Sequence, residues 1–328
     1  MKHISILVPQ GAILGSIEGP RQVFTEANKF LKSIGKSAFC TVQLVGLNKE
    51  VRVAGGIYMV YTDVLAKDVA KTDLIIIPAL DGDMVKIIEQ NQEFVSWIIK
   101  QYKGGAEVAS LCVGAFLLAS TGLITGKKCA THWIAANDFR KMFPDVNLVE
   151  DKVITDEQGI YSSGGAFSYL NLILYLIEKY AGREIAVFMS KAFQIDIDRK
   201  SQSQFIMFNG QKDHEDEAIK KAQEFIENNV GDRITVDQLA STFAIGRRNL
   251  ERRFKKATSN TVVEYIQRVK IESAKMNLES SRENVNEVMY NVGYTDPKAF
   301  RLTFKKITGL SPIEYRNKYN RERVVAFA

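Results

Sequence analysis

Short, nearly continuous apolar runs alternate with longer segments of helical periodicity over about the first 190 residues. The apolar runs predict strands buried on both faces, namely Ile4–Val8, Phe39–Val45, Leu74–Ile77 and Glu107–Leu111. The periodic segments predict helices over Gly19–Ile34, Asp83–Tyr102, Gly114–Ser120, Ile134–Met142 and Ala166–Tyr180. Such alternation predicts an α/β fold, a three-layer sandwich in which a parallel sheet lies between helices.

Two segments, Val51–Tyr61 and Leu148–Tyr161, alternate with period two and contain turn residues, so we interpret both as hairpin insertions. The polar stretch that begins at Asn209-Gly210 predicts a linker. The expected organisation is an α/β domain over residues 1–190, a linker over 191–216, an all-α domain over 217–320 and a tail over 321–328.

The all-α part contains a repeat. Phe254-Lys255-Lys256-Ala257-Thr258 recurs as Phe304-Lys305-Lys306-Ile307-Thr308, and Glu264-Tyr265 recurs as Glu314-Tyr315, at a constant offset of 50. Each copy has the pattern of a short amphipathic helix, a turn and a second helix, which is the layout of a helix-turn-helix unit. The apolar segment between the copies lacks Gly and Pro and predicts a connecting helix of about 27 Å.

Basic side chains dominate the outer face of the second helix in each copy. Leu250 and Phe254, and likewise Phe300 and Phe304, lie four residues apart and are expected to face inward. Two such helices about one DNA turn apart, roughly 34 Å, fit a bipartite site in duplex DNA. The candidate DNA-binding residues are Arg247, Arg248, Glu251, Arg252, Lys255, Lys298, Arg301 and Lys305.

Charge is distributed unevenly along the chain. Residues 217–328 contain 21 Lys and Arg against 14 Asp and Glu, a net charge of +7, whereas the whole chain carries +6 and the remainder therefore −1. This asymmetry is typical of a polyanion-binding domain, although most basic runs are ordinary solvated helix faces.

The stretch from about Asp232 to Tyr319 resembles the AraC/XylS-type DNA-binding domain. The matching residues include Ala240, Leu250-x-x-x-Phe254, Ala274, Leu278, Val292-Gly293-Tyr294, Phe300-x-x-x-Phe304-Lys305 and Gly309-x-Ser311-Pro312-x-x-Tyr315-Arg316. The resemblance implies that Arg248, Glu251, Arg252, Lys298 and Arg301 sit where that family contacts DNA. We expect the turn at Asn260-Thr261 to differ from the turn at Ser311-Pro312.

In the α/β part, an apolar strand ends at Cys112 and a helix follows directly, which is the context of a nucleophile elbow. His132 could serve as a base for this thiol, so Cys112 and His132 are candidate catalytic residues. Alternatively, Cys112 lines a ligand pocket, senses oxidants, or only fills the core, and His132 is structural. The residues show no metal-ligand spacing, and we expect neither metal nor cofactor.

The same region resembles the PfpI-like, class I glutamine-amidotransferase-like domain of the GlxA group of AraC-type regulators. The matching motifs are Pro20-x-x-Val23-Phe24, Ala109–Ala119 with Gly122-Leu123, Thr131-His132-Trp133, Ser163-Gly164-Gly165 and Gln202-Ser203-Gln204-Phe205. Ser16 stands where enzymatic members carry an acidic residue, with Glu18 two positions later, and Asn171 stands where the GlxA group carries Asp. These departures favour a protein without enzymatic activity.

Ligands of parallel sheets bind beyond the carboxyl ends of the strands, where several candidate residues converge. The predicted pocket consists of Gln10, Ser16, Glu18, Cys112, Val113, His132 and Gly164. The resemblance implies a transcription regulator that senses a small, nitrogen-containing metabolite, with an amidase-like or hydratase-like enzyme as the alternative. Expected partners are promoter DNA, the effector, RNA polymerase if the protein activates, and a second copy. Three unpaired cysteines and the absence of a long apolar stretch favour the cytoplasm.

Overall fold

The computed structural model describes residues 1–320. The chain divides into two compact units, Met1–Gln202 and Ser203–Ala328, and the second is described as far as residue 320. The segment expected to be a linker, residues 191–216, is shared between the units, because its first twelve residues belong to unit 1. The expected tail, residues 321–328, lies outside the described residues.

Unit 1 is built around a sheet of seven strands in the order β10-β11-β7-β6-β1-β2-β5. The strands of unit 1 are β1 (Lys2–Leu7), β2 (Cys40–Gly46), β3 (Glu50–Val53), β4 (Tyr58–Tyr61), β5 (Val64–Leu65), β6 (Leu74–Ile77), β7 (Glu107–Leu111), β8 (Lys128–Cys129), β9 (Asn147–Leu148), β10 (Ile154–Glu157) and β11 (Ile160–Ser163). All neighbours in the seven-stranded sheet pair in parallel except β10, which is antiparallel to β11. The short strands β3 and β4 form a separate hairpin.

Helices cover both faces of this sheet. They are α1 (Leu14–Ser33), α2 (Met84–Gln90), α3 (Gln92–Lys103), α4 (Ala115–Ser120), α5 (Ala136–Met142), α6 (Tyr169–Ala181) and α7 (Arg183–Ala192). One apolar core joins α1, α6 and α7 to the sheet, and a second joins α2 to α5 to its other face. The four residues of β6 are fully buried, because this central strand faces both cores. The predicted three-layer parallel-sheet sandwich is therefore confirmed.

Two predicted elements of unit 1 differ from the structure. The helix expected over Asp83–Tyr102 is two helices, α2 and α3, which meet at Asn91. The Asn91 side chain bonds the backbone N–H and carbonyl of Gln10 and the carbonyl of Ile87, and these bonds compete with a continuous helix. The hairpin expected over Leu148–Tyr161 is present as β10 and β11, but it is not an insertion, since the two strands form the edge of the main sheet. Leu148 lies outside the hairpin and pairs in a separate two-stranded sheet. The pattern also gave no signal for α7.

Unit 2 is all-α within the described residues. Its helices are α8 (Glu217–Asn228), α9 (Val236–Thr242), α10 (Arg247–Thr258), α11 (Val262–Ser280), α12 (Val285–Asn291), α13 (Pro297–Thr308) and α14 (Pro312–Tyr319). The pairs α9–α10 and α12–α13 are the two expected helix-turn-helix units, and α11 connects them. Each pair has its own apolar core, around Phe254 in the first and Phe304 in the second.

The two copies end their second helices in the same way, which corrects the expected difference at Asn260-Thr261. Ser259 and Gly309 both adopt left-handed backbone conformations, with φ of 58° and 78°. Thr261 and Ser311, offset by 50, are both N-caps with a reciprocal capping box. Asn260 in the first copy therefore corresponds to Leu310 in the second, and both copies have the same turn.

Candidate functional site

The backbone at Cys112 forms a sharp bend between β7 and α4. Cys112 has a φ of 54°, a conformation that is strained for a residue with a side chain. Thr131 donates a hydrogen bond to its carbonyl oxygen at 3.1 Å, which holds the bend. A Cβ on Gly114 would lie 2.3 Å from the carbonyl oxygen of Pro78, so only glycine fits there. The elbow predicted from the sequence is thus present.

The Cys112 thiol is buried, and burial raises its pKa to about 11. An uncharged thiol is a poor nucleophile, because the thiolate is the reactive form. The helix that follows, α4, has six residues, and its amino end does not offset the cost of burying the charge. Cys112 is therefore protonated at neutral pH.

Ser16 cannot activate this thiol as a carboxylate would. Its hydroxyl donates to the Ile13 carbonyl at 2.7 Å and accepts from the Ala79 backbone N–H at 2.9 Å. The nearby acid, Glu18, forms a salt bridge with Arg21 at 2.6 Å on the outer side of α1. The position at which the resemblance implies an acid in an enzyme is thus occupied by a hydroxyl that bonds two backbone segments.

His132 is half-buried and its Nδ1 accepts a hydrogen bond from the backbone N–H of Ile134 at 3.1 Å. Burial lowers the pKa of the imidazole, which favours the neutral form. With Nδ1 engaged as an acceptor, the remaining ring proton is on Nε2. Within residues 1–320, Cys112 and His132 share no hydrogen bond, so the structure contains no assembled cysteine–histidine pair.

A cavity of about 390 Å³ opens beside the elbow. Of the seven residues predicted to form a pocket, four line it: Ser16, Cys112, Val113 and His132. The other three lie elsewhere, because Gln10 bonds Asn91, Glu18 pairs with Arg21, and Gly164 packs under Gln202. Asn171, the other departure from the GlxA pattern, is buried and donates to the carbonyl of Asp196.

Most of the cavity wall comes from residues outside the seven predicted to form the pocket. The additional lining residues are Ile13, Gly15, Ala79, Leu80, Asp81, Gly82, Met84, Ile134, Ala135, Ala166, Phe167 and Tyr169. Tyr169 fixes one wall by donating to the Gly15 carbonyl at 2.8 Å. Asp81 is the single acid in this lining, and the lining includes neither Lys nor Arg. The cavity therefore suits an uncharged or cationic molecule with an apolar body.

In unit 2, all eight predicted DNA-binding residues are exposed on α10 and α13. In the first copy, Arg247 pairs with Asp237 at 2.9 Å and lies 3.5 Å from Glu251. Arg252 donates to Asn249, and Lys255 donates to the Ser259 carbonyl. In the second copy, the side chains of Lys298 and Arg301 form no ion pair within residues 1–320.

Lys270 of α11 joins the two helix-turn-helix units. Lys270 is 6% exposed, and its ammonium donates to the carbonyls of Val230 at 2.7 Å, Asp232 at 2.9 Å and Val292 at 2.8 Å. The first two carbonyls precede α9, and the third lies in the turn between α12 and α13. Burial lowers the pKa of this lysine. One side chain thus fixes both helix-turn-helix units to the connecting helix α11.

The start of unit 2 packs on the same connecting helix. Lys275 donates to the Ile206 carbonyl at 2.6 Å, and Glu272 accepts from the backbone N–H of Phe208 at 3.1 Å. The Phe208 ring meets Tyr265 edge to face at 5.1 Å between centroids. The sequence pattern missed the buried Lys275 and the half-buried Glu272, since Lys and Glu in a helix normally indicate its solvated face.

Comparison with known proteins agrees with both halves. A model of the DJ-1/PfpI family matches residues 3–179, more than half of the chain. The chain belongs to the DJ-1/PfpI family. A helix-turn-helix domain model matches residues 239–318, and the expected combination with an AraC-type helix-turn-helix domain is confirmed. The narrower assignment to the GlxA group stays a prediction.

Two relatives from Pseudomonas aeruginosa are named HTH-type transcriptional regulators. ArgR is 25% identical over 217 residues, which cover 66% of each chain, and GbdR is 25% identical over 236 residues, which cover 69% of this chain and 61% of GbdR. The chain thus spans slightly less than two thirds of each relative. The crystal structure of an AraC family transcriptional regulator from Pseudomonas putida has the same fold over 59% of this chain and all of its own, with a TM-score of 0.50 and 15% identity.

Among residues 1–320, every helix is too short or too polar to cross a membrane.

Proposed function

We propose that this DJ-1/PfpI family member is a sequence-specific, DNA-binding transcription regulator whose unit 1 senses a small molecule. The observation that carries the proposal is the duplicated helix-turn-helix, with exposed basic side chains on α10 and α13 and a shared anchor at Lys270. The matched relatives are named transcriptional regulators, which supports the same function. The protein acts in the cytoplasm, where promoter DNA and RNA polymerase are found.

The length of the connecting helix supports binding of both helix-turn-helix units to one DNA duplex. The 19 residues of α11 span about 28 Å, at about 1.5 Å per residue, which is close to the roughly 34 Å of one helical turn. Arg248, Arg252, Lys298 and Arg301 enter two successive major-groove faces, and Arg247, Lys255 and Lys305 contact phosphates. Glu251 accepts from a cytosine amino group. A homodimer doubles the number of half-sites.

The effector occupies the cavity beside Cys112. Its volume of about 390 Å³ is near the lower end of the range for small-molecule sites, about 300–1,000 Å³. Apolar walls and a single acid, Asp81, select a compact amine and disfavour anions, which would find no cationic side chain. The effector binds the DNA-competent and DNA-incompetent conformations with different affinities. This difference in affinity sets how far effector binding shifts the population between the two conformations.

The alternative function is a cysteine-dependent amidase-like or hydratase-like enzyme, which the strained elbow at Cys112 favours. We propose that the protein lacks this activity, because the thiol is protonated, Ser16 replaces the acid, and His132 accepts from a backbone N–H. Turnover of an amide or carbonyl substrate that is lost in Cys112→Ala would establish the alternative instead.

The test of DNA binding uses the full chain and a library of random duplexes. We expect selection to enrich one bipartite sequence, and Arg252→Ala with Arg301→Ala to weaken its binding more than tenfold in fluorescence anisotropy. Lys221→Ala, which removes an exposed charge on α8, is the control and should change affinity little. Equal binding by all three proteins would refute the proposal.

The test of sensing follows tryptophan fluorescence, because both tryptophans, Trp97 and Trp133, belong to unit 1. Short alkylamines should raise the unfolding temperature of unit 1, and alkanoates of the same length should not. Asp81→Asn should remove the amine effect. Stabilisation by alkanoates, or by amines in Asp81→Asn, would contradict the proposed pocket chemistry.

A further inference from the structure

Leu302 is an apolar side chain in the middle of the basic face of α13. It is 63% exposed, although it belongs to a helix whose other large apolar residues are buried or half-buried. Because each residue turns a helix by about 100°, Leu302 points almost directly away from the buried ring of Phe304. Lys298 and Lys305 lie on the same side of the helix, one turn before and one turn after it.

The first copy carries different chemistry at the corresponding positions. At the offset of 50, Leu302 corresponds to Arg252, and Arg301 corresponds to Glu251. Both helices have 12 residues and bury the equivalent positions, so the four side chains occupy equivalent places on their helices. At these positions α10 therefore presents an acidic and a basic side chain, whereas α13 presents a basic and an apolar side chain.

These groups differ in the base edges they can recognise. In the major groove an arginine pairs with guanine O6 and N7, a glutamate accepts from cytosine N4, and an apolar side chain contacts the thymine methyl group. The methyl group is the only apolar feature that the groove offers. An exposed leucine among cations, which bring the helix onto DNA, is thus placed to bury a methyl group.

We propose that Leu302 determines specificity for a thymine in the half-site bound by α13, next to a guanine bound by Arg301. This inference rests on the proposed DNA-binding function and deepens it. It makes the two half-sites unequal in sequence, because Arg252 occupies the corresponding position in the first copy. A single exposed leucine is common on protein surfaces, and what distinguishes Leu302 is its position between Lys298 and Lys305 on the basic face of α13.

The experiment removes one methyl group at a time. Each thymine of the duplex selected by the full chain is replaced by deoxyuridine, and affinity is measured by anisotropy. Wild-type protein should lose affinity about fourfold at one thymine of the α13 half-site, the effect of one buried methyl group. Leu302→Ala should bind the thymine and deoxyuridine duplexes equally. Met276→Ala, which removes a 62% exposed side chain from α11, should keep the wild-type difference.

An exchange variant gives an independent readout. Selection repeated with Leu302→Arg should replace the thymine by guanine at the same position, because the side chain then matches that of the first copy. Unchanged preference in Leu302→Arg, or an equal deoxyuridine penalty in wild type and Leu302→Ala, would overturn the inference while leaving DNA binding intact. Normal DNA affinity and specificity with lost transcriptional activity in Leu302→Ala would assign this leucine to a protein contact instead. Failure to enrich any duplex would refute the proposed function itself.

Discussion

Replacing Lys270 by methionine should destabilise unit 2 without unfolding unit 1. The change removes three hydrogen bonds, of 2.7, 2.9 and 2.8 Å, and leaves three carbonyls without this donor. Each bond from a charged donor contributes about 1.5–3 kcal/mol. Methionine also avoids the cost of burying a charge, which lowers the pKa of Lys270. This gain offsets several kcal/mol of the lost hydrogen-bond energy. We expect a net loss of about 2–4 kcal/mol.

Urea unfolding of the full chain separates the two units. Tryptophan fluorescence reports unit 1, where both tryptophans lie, whereas circular dichroism at the helix band reports both units. With a slope of about 2 kcal/mol/M, in the middle of the usual range for small domains in urea, the loss moves the midpoint of unit 2 by about 1–2 M. The fluorescence transition should not move. Lys221→Met, on the exposed side of α8, is the control.

Functional consequences distinguish an anchor from a side chain that only adds stability. Lys270→Met should weaken binding to the bipartite duplex more than binding to either half-site, because the two helix-turn-helix units lose their common attachment to α11. An unchanged circular dichroism transition, or an equal loss for bipartite and half-site duplexes, would refute this reasoning.

Three further outcomes are expected. Gly114→Ala should destabilise unit 1 by several kcal/mol, seen as an earlier fluorescence transition, because its Cβ would lie 2.3 Å from a carbonyl oxygen; Gly15→Ala, with open space around it, should not. Iodoacetamide should label Cys112 about 100-fold more slowly at pH 8 than an ordinary cysteine, since its pKa is about 11, and ordinary labelling would contradict this. Burial lowers the pKa of His132 in the folded chain, so the stability of unit 1 should fall as the pH drops below about 6.5, the value in the unfolded chain. His132→Gln should reduce this acid sensitivity, and an unchanged pH dependence of the fluorescence transition would contradict the reasoning.

The sequence predicted the elements whose pattern is local. Buried strands such as Leu74–Ile77 are continuous apolar runs, and the duplicated helices repeat whole motifs, so both were found with nearly correct limits. The break at Asn91 was missed because it depends on a hydrogen bond to Gln10, 81 residues away. The pairing of β11 with β7 was missed for the same reason, because the alternation identifies a hairpin but not the sheet that the hairpin joins.

The candidate pocket was predicted only in part. Cys112 was found because it lies where an apolar strand ends and a helix begins, and Ser16 because the family resemblance pointed to its position. Ala135, Met84 and Phe167 were not, since such residues become a cavity wall only when several segments converge. Lys270 was missed because a lysine in a helix gives no sign of burial until its three carbonyl partners are known.

The central claim is that one chain contains two groove-binding units held about one DNA turn apart by α11. The most direct test measures the affinity of the full chain for its selected bipartite duplex after five or ten base pairs are inserted between the half-sites. Five base pairs place the second half-site on the opposite side of the duplex, and ten stretch the distance by a full turn, so both insertions should reduce affinity more than tenfold to that of a single half-site. Undiminished binding to the duplex with five inserted base pairs would contradict the account.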